Sequence, residues 1–130
     1  MSQLKSRTNA NPPATIFVVD DEQMLLDLAV AILKPLGFNV QTFKDPRKAL
    51  KEYPDARPVL IITDYAMGGM NGLELVQECK RINPGQKVIL LSGTVDESIF
   101  EGLPHKPDRF MVKPYTVNEF VETVRSLADG

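Results

Sequence analysis

Cysteine and histidine are nearly absent from this chain: Cys79 and His105 are the only examples in 130 residues, and there is no tryptophan. A lone cysteine has no partner for an intramolecular disulfide, and one cysteine with one histidine cannot supply the ligands of a zinc site. A reducing, cytoplasmic compartment is therefore expected. No apolar run approaches the roughly 20 residues that cross a membrane as a helix, and the N-terminus lacks the hydrophobic segment of a signal peptide, so no membrane association is expected. Excess positive charge is missing too. The net charge is -2 and the Lys and Arg residues form no cluster, which removes the electrostatic footprint of direct nucleic-acid binding. There is neither an internal repeat nor a low-complexity tract.

What remains is a chain with 43% hydrophobic residues, enough to bury most of its apolar surface as one domain without covalent staples. Met1 to Pro13 is polar and reads as a flexible tail ahead of a domain running from Ala14 to Gly130. From Ala14 onward, short β-branched runs alternate with helical periodicity, the pattern of consecutive βα units on a parallel sheet.

The first helix is expected from Glu22 to Leu36, with Met24, Leu25, Leu28, Ala29, Ile32 and Leu36 on its apolar face and Gly37 as the stop. A strand over Phe38 to Phe43 follows. Asp45-Pro46 then caps a short helix over Arg47 to Tyr53. Asn71 and Glu74 form a capping-box pattern for a helix ending at Ile82, and Thr116 with Glu119 does the same for the last helix. Thr94 and Glu97 repeat the pattern, but Gly102, Pro104 and Pro107 leave room for only about two turns in the fourth helix.

The chemistry sits at the strand ends. Asp20 and Asp21 follow Ile16-Phe17-Val18-Val19, Asp64 follows Val59-Leu60-Ile61-Ile62-Thr63, Ser92 follows Val88-Ile89-Leu90-Leu91, and Lys113 follows Phe110-Met111-Val112. In a parallel sheet these carboxyl ends share one edge, where open α/β folds bind ligands. Three carboxylates gathered there repel one another unless a cation compensates, and an all-oxygen donor set with few protein ligands suits Mg²⁺. A carboxylate beside Mg²⁺ can attack phosphorus to give an acyl phosphate, whose charge a lysine and a hydroxyl can hold.

Val18-Val19-Asp20-Asp21, Asp64 with Met67 and Asn71-Gly72, Leu91-Ser92-Gly93 and Lys113-Pro114-Tyr115, in this order and each after a strand, resemble the receiver domain of bacterial two-component response regulators. The likeness extends from Ala14 to about Ala128. It implies a (βα)5 flavodoxin-like three-layer sandwich with strand order 2-1-3-4-5. It implies that Asp64 is the phosphoacceptor, that Asp21, Asp64 and the Ala66 backbone carbonyl ligate Mg²⁺, and that Asp20 reaches the metal mainly through water. Ser92 and Lys113 would hold phosphoryl oxygens, Ser92 and Phe110 would form the switch pair, and Lys113-Pro114 would be a cis peptide. Ala66, Gly68 and Thr94 correspond to positions that tune the loop and the lifetime of the phosphoryl group. A sensor histidine kinase or phosphotransfer protein would be the donor, a downstream protein the target, and the chain a monomer or weak dimer.

Simpler roles compete residue by residue. Asp21 serves equally as a helix N-cap, Ser92 as a loop cap, Phe110 and Cys79 as core, and His105 as a solvated loop residue. Two other functions compete for the whole chain: a Mg²⁺-dependent phosphohydrolase with Asp64 as nucleophile, and an interaction domain that has lost phosphorylation. Phosphatases of the haloacid dehalogenase type place an acid two residues after the nucleophile, where this chain has Ala66. A dinucleotide site is disfavoured because Asp20-Asp21-Glu22 stands where glycines would be needed.

Two departures from the family pattern stand out. Val95 to Pro107 is too short for a full fourth helix, and this segment is expected to be mobile and to order on phosphorylation or partner binding. Gly68, followed by Gly69, occupies a position where many receivers have proline, which makes the loop carrying Ala66 costlier to order. Gly68→Pro is accordingly expected to bind Mg²⁺ more tightly than the natural sequence; a titration showing equal or weaker binding by the variant contradicts this.

Overall fold

The computed structural model describes residues 12–129; the expected polar tail, apart from Pro12 and Pro13, lies outside the described residues. Strand β1 (Thr15–Val19) is followed by helix α1 (Gln23–Leu33), a 3-10 turn (Lys34–Leu36), β2 (Asn39–Phe43), α2 (Pro46–Ala56) and β3 (Leu60–Asp64). Then come α3 (Gly72–Ile82), β4 (Val88–Ser92), a second 3-10 turn (Glu97–Phe100), β5 (Arg109–Val112) and α4 (Val117–Ala128). The strands pair in parallel in the order β2-β1-β3-β4-β5, the doubly wound sheet expected from the βα alternation. No helix among the described residues is long and apolar enough to cross a membrane.

Alternation along the strands feeds two cores. Ile16, Val18, Leu60, Ile62, Ile89 and Leu91 pack against Leu26, Ala29 and Leu33 of α1 and Phe120, Val124 and Leu127 of α4. On the opposite face Phe17, Val19, Ile61 and Val88 meet Ala49 and Tyr53 of α2 and Leu75, Val76 and Cys79 of α3. The central strands β3 and β4 are buried throughout, as a sheet covered on both faces requires. Cys79 belongs to this packing: it is 1% exposed, and burial pushes its thiol up to about 12, so it carries no thiolate at neutral pH.

The helix starts follow their caps. Asn71 Oδ1 accepts from the Glu74 amide at 2.9 Å while Glu74 Oε1 accepts from the Asn71 amide at 2.8 Å. Thr116 and Glu119 make the same reciprocal pair, and Asp45 caps α2 through the Arg47 amide at 2.9 Å. Each arrangement satisfies donors that the first helical turn leaves open.

Several expectations need correction. The α-helical part of the first helix ends at Leu33 rather than Leu36, because Pro35 has no N–H to continue the ladder; a 3-10 turn finishes it before Gly37 at φ 98°. Its buried stripe is Leu26, Ala29 and Leu33, whereas Met24 and Leu28 are 79% and 53% exposed. Helix α2 runs past the expected end at Tyr53 to Ala56. Pro54 sits in its last turn, and the Arg57 amide still reaches the Tyr53 carbonyl at 3.0 Å.

The fourth helix, expected as about two turns, is one 3-10 turn. Its cap is Asp96, which accepts from the Ser98 amide, and the Thr94–Glu97 capping box does not form because the Thr94 amide donates to Ser92 Oγ. His105, expected in solvent, is half-buried, with its main chain held by Gln77.

Gly72 opens α3 against the end of β3. A Cβ at this residue would lie 2.3 Å from the Asp64 carbonyl oxygen and 2.8 Å from a methyl of Leu90, so only glycine lets the helix approach the strand this closely. Gly72→Ala is expected to lower stability by about 1–3 kcal/mol, as overpacking does. An unchanged denaturant midpoint would show that the helix can shift at no cost.

Candidate functional site

Parallel register sets the site. Val19 of β1 lies beside Thr63 of β3, Asp64 beside Leu91 of β4, and Ser92 beside Val112 of β5. Asp20 and Lys113, each one residue past its strand, therefore flank Asp64 on the same edge. The Asp20 amide donates to the Phe43 carbonyl at 3.0 Å and the Lys113 amide to the Ser92 carbonyl at 2.8 Å, which continues the ladders one step and fixes both residues.

Asp20 and Asp64 are 4% and 8% exposed, and Ser92 is 3% exposed. Lys113 Nζ lies 2.8 Å from Asp64 Oδ1. Burial pulls the Lys113 ammonium down, but its hydrogen bond to Asp64, the Asp64 charge and that of Asp20 prevail and hold it above the usual lysine value. Lys113 is therefore charged at neutral pH. Burial raises the Asp20 carboxyl above the usual range; the Glu22 amide at 2.9 Å opposes this, while the charges of Asp64 and Asp21 add to it. Burial likewise raises Tyr115, which stacks on Phe120 with ring centroids 5.7 Å apart.

Asp21 is exposed on the rim and does not cap α1, whose N-cap residue is Glu22 with no side-chain cap bond. Ala66 and Gly68 are exposed in the loop between β3 and α3. That loop is pinned by the Tyr65 amide on the Leu91 carbonyl at 2.8 Å and closed by the Gly72 amide on the Tyr65 carbonyl at 3.0 Å. Ser92 Oγ points to its own loop: it accepts from the Thr94 amide at 3.2 Å and lies 3.4 Å from Thr94 Oγ1. Phe110 is half-buried and meets Phe100 edge to face, with centroids 5.1 Å apart. The Lys113–Pro114 peptide is cis.

No three His, Cys, Asp or Glu side chains among the described residues lie close enough to hold a metal by themselves. Mg²⁺ does not require such a cage, since it binds through one or two carboxylates and keeps several waters. The buried, mutually repelling Asp20 and Asp64, with Asp21 at the rim, would offer such an ion its oxygen donors. The donor set fits Mg²⁺.

Sequence reasoning singled out the charged residues and missed why Gly72 matters. The available signal was a glycine in the first turn of a helix, where it costs stability unless something needs its missing side chain. Gln77, Lys80 and Asp108 carried no strand-end signal at all.

Comparison with known proteins agrees with the geometry. Residues 16–125 match the family described as the response regulator receiver domain. The chain is 32% identical over 117 residues to the probable transcriptional regulatory protein TcrX of Mycobacterium tuberculosis, covering 88% of this chain and 50% of TcrX. It thus spans about half the length of that relative. A receiver domain protein (CheY-like) from Methanospirillum hungatei superposes with a TM-score of 0.82 at 25% identity, over 90% of this chain and 94% of the other. The CheY of a CheX–CheY–BeF3–Mg²⁺ complex from Borrelia burgdorferi shares the fold at 22% identity, with a TM-score of 0.81 over 92% of each chain. With its sheet order, its strand-end acids and this match over most of its length, the chain belongs to the response regulator receiver domain family.

Proposed function

We propose that this domain is the phosphoacceptor module of a two-component phosphorelay, with Asp64 taking a phosphoryl group from the phosphohistidine of a histidine kinase or phosphotransfer protein. The observation that carries this reading is the buried Asp64 carboxylate held by Lys113 at 2.8 Å beside a second buried acid. A purely structural ion pair has no use for a second buried acid, Asp20, repelled by it.

The chemistry follows from the residues. An Asp64 oxygen bonds to phosphorus as the phosphorus–nitrogen bond of the donor breaks, and the imidazole leaves with the bonding pair and takes up a proton. Once Asp64 is phosphorylated its negative charge has moved to the phosphoryl oxygens, and the Lys113 ammonium follows it there. Ser92 is already oriented in part: because its oxygen accepts from the Thr94 amide, its own proton is free to turn from Thr94 Oγ1 to a phosphoryl oxygen. Mg²⁺, held by Asp21, Asp64 and the Ala66 carbonyl, with Asp20 acting through water, would supply neutralising charge for the incoming group.

A protein donor suits the surroundings of the site. An apolar cavity of about 90 Å³ between α1 and α4 has Asp20 and Lys113 in its lining, and Leu28 and Val117, which also line it, are 53% and 54% exposed. Met24, one turn before Leu28, extends this apolar surface at 79% exposed. Such a patch beside a charged site is what a docked protein would cover.

Receiver domains are typically signalling modules, and the changed state of Asp64 would alter the binding of a downstream protein. The phosphohydrolase alternative lacks a general acid, since the exposed residue two positions after Asp64 is Ala66.

Incubation with Mg²⁺ and acetyl phosphate or beryllofluoride is expected to give a metal-dependent adduct, read by mass or spectral change, that Asp64→Asn abolishes. No response to any donor would sink the phosphoacceptor reading, and steady phosphate release at catalytic protein concentration would favour the hydrolase. Asp20→Asn is expected to keep the bond from the Glu22 amide while relieving repulsion. Its metal-free melting temperature should rise by a few degrees, for about 1 kcal/mol, as its Mg²⁺ affinity falls severalfold. A melt in chelator that is unchanged or lower would show that Asp20 is not held against repulsion.

A further inference from the structure

Lys113 works at the end of a weakly supported strand. β5 has four residues, forms the edge of the sheet and pairs only with β4, and the chain leading into it from Gly93 holds a single 3-10 turn. A slip of one residue would move Lys113 by roughly 3.3 Å and turn Phe110 and Met111 to opposite faces. Something must hold the register.

The amino end of β5 is bracketed at Asp108. Its amide donates to the Val88 carbonyl at 2.9 Å, and its Oδ2 accepts from the Val88 amide at 2.8 Å, so one residue grips the first residue of β4 at two points. The same Oδ2 receives Lys80 Nζ from α3 at 2.9 Å, and Lys80 is only 7% exposed. One turn earlier on α3, the Gln77 amide donates to the His105 carbonyl at 2.6 Å and accepts from the His105 amide at 3.1 Å. The spacing of three between Gln77 and Lys80 matches that between His105 and Asp108, so one helix face holds the whole approach to β5.

We propose that Lys80 and Asp108 are positioning residues for Lys113: the buried pair fixes the register of β5 on β4 and so sets where the Lys113 ammonium stands against Asp64. This rests on the phosphoacceptor reading of Asp64. The carboxylate alone could bracket Val88, but without Lys80 its charge is left partly buried and unpaired, and it turns toward water and releases the Val88 amide. The proposed metal ligands lie on β1, β3 and their loops, and among the described residues no hydrogen bond or ion pair joins Lys80 or Asp108 to them. Loss of the pair should therefore separate two properties that general damage would lose together.

The test uses the full chain. Lys80→Met keeps most of the buried stem and removes the charge. It is expected to leave Mg²⁺ affinity within twofold of wild type, to slow Mg²⁺-dependent phosphorylation by acetyl phosphate roughly tenfold, and to speed hydrogen exchange at the Lys113 amide relative to the β1 amides. Adding Asp108→Asn, which discharges the pair while its amide oxygen still accepts from Val88, is expected to restore most of the rate. Should Lys80→Met not fold, Asp108→Ala removes the same bracket at a partly exposed position and should give the same separation.

A folded variant that phosphorylates at the wild-type rate, or one that loses Mg²⁺ affinity in proportion, overturns the proposal. If wild type itself forms no adduct, it is the phosphoacceptor reading that fails. The register is then judged by the Lys113 amide alone, where unchanged exchange in both variants overturns it.

Discussion

Parallel pairing in register is the constraint on which this site depends. Residues more than ninety positions apart meet because each of β1, β3, β4 and β5 ends within a residue of its neighbour in the sheet, and the next peptide of each chain crossing is fixed by a ladder bond. The two cores set those heights: side chains alternate between the α1–α4 and α2–α3 layers, so a slip would put a whole strand's apolar residues in the wrong core. Packing energy spread over the sheet thus holds one short contact, Lys113 to Asp64.

The central strands and their ends were legible in the sequence because unbroken apolar runs flanked by charged residues have few other readings in a chain this short. Capping boxes at Asn71 and Thr116 were legible for a similar reason, since two residues three apart make a reciprocal bond with no help from the rest of the fold. Thr94 with Glu97 shows where that logic fails. The pattern is identical, but the Thr94 amide is consumed by Ser92 Oγ, and the next helical segment starts two residues later from Asp96. A cap is local only while its donor has no better acceptor.

Tertiary context hid the rest. Nothing in the sequence distinguishes Leu26 and Leu33, which are buried, from Leu28, which is half-exposed, because helical periodicity permits more than one stripe in a helix this apolar. Gly72 looks like a poor helix former until the Asp64 carbonyl is seen behind it. Lys80 and Asp108, twenty-eight residues apart, look like two solvated charges, and only the fold brings α3 within reach of the start of β5.

Electrostatics gives the arrangement its direction. Three carboxylates and one ammonium leave the site with two excess negative charges, and the burial that raises Asp20 makes them costly. A doubly charged phosphoryl donor, as proposed, would meet repulsion in that state, and a divalent cation that brought the balance to neutrality would favour both the fold and the approach of the donor. Lys113 cannot take that part alone, because its single charge is already engaged by Asp64. Phosphorylation of Asp64, as proposed, would release it. On the proposed reading, the same lysine would stabilise the acid before transfer and the phosphoryl group after it, and such an exchange of partners would need a strand whose height does not drift.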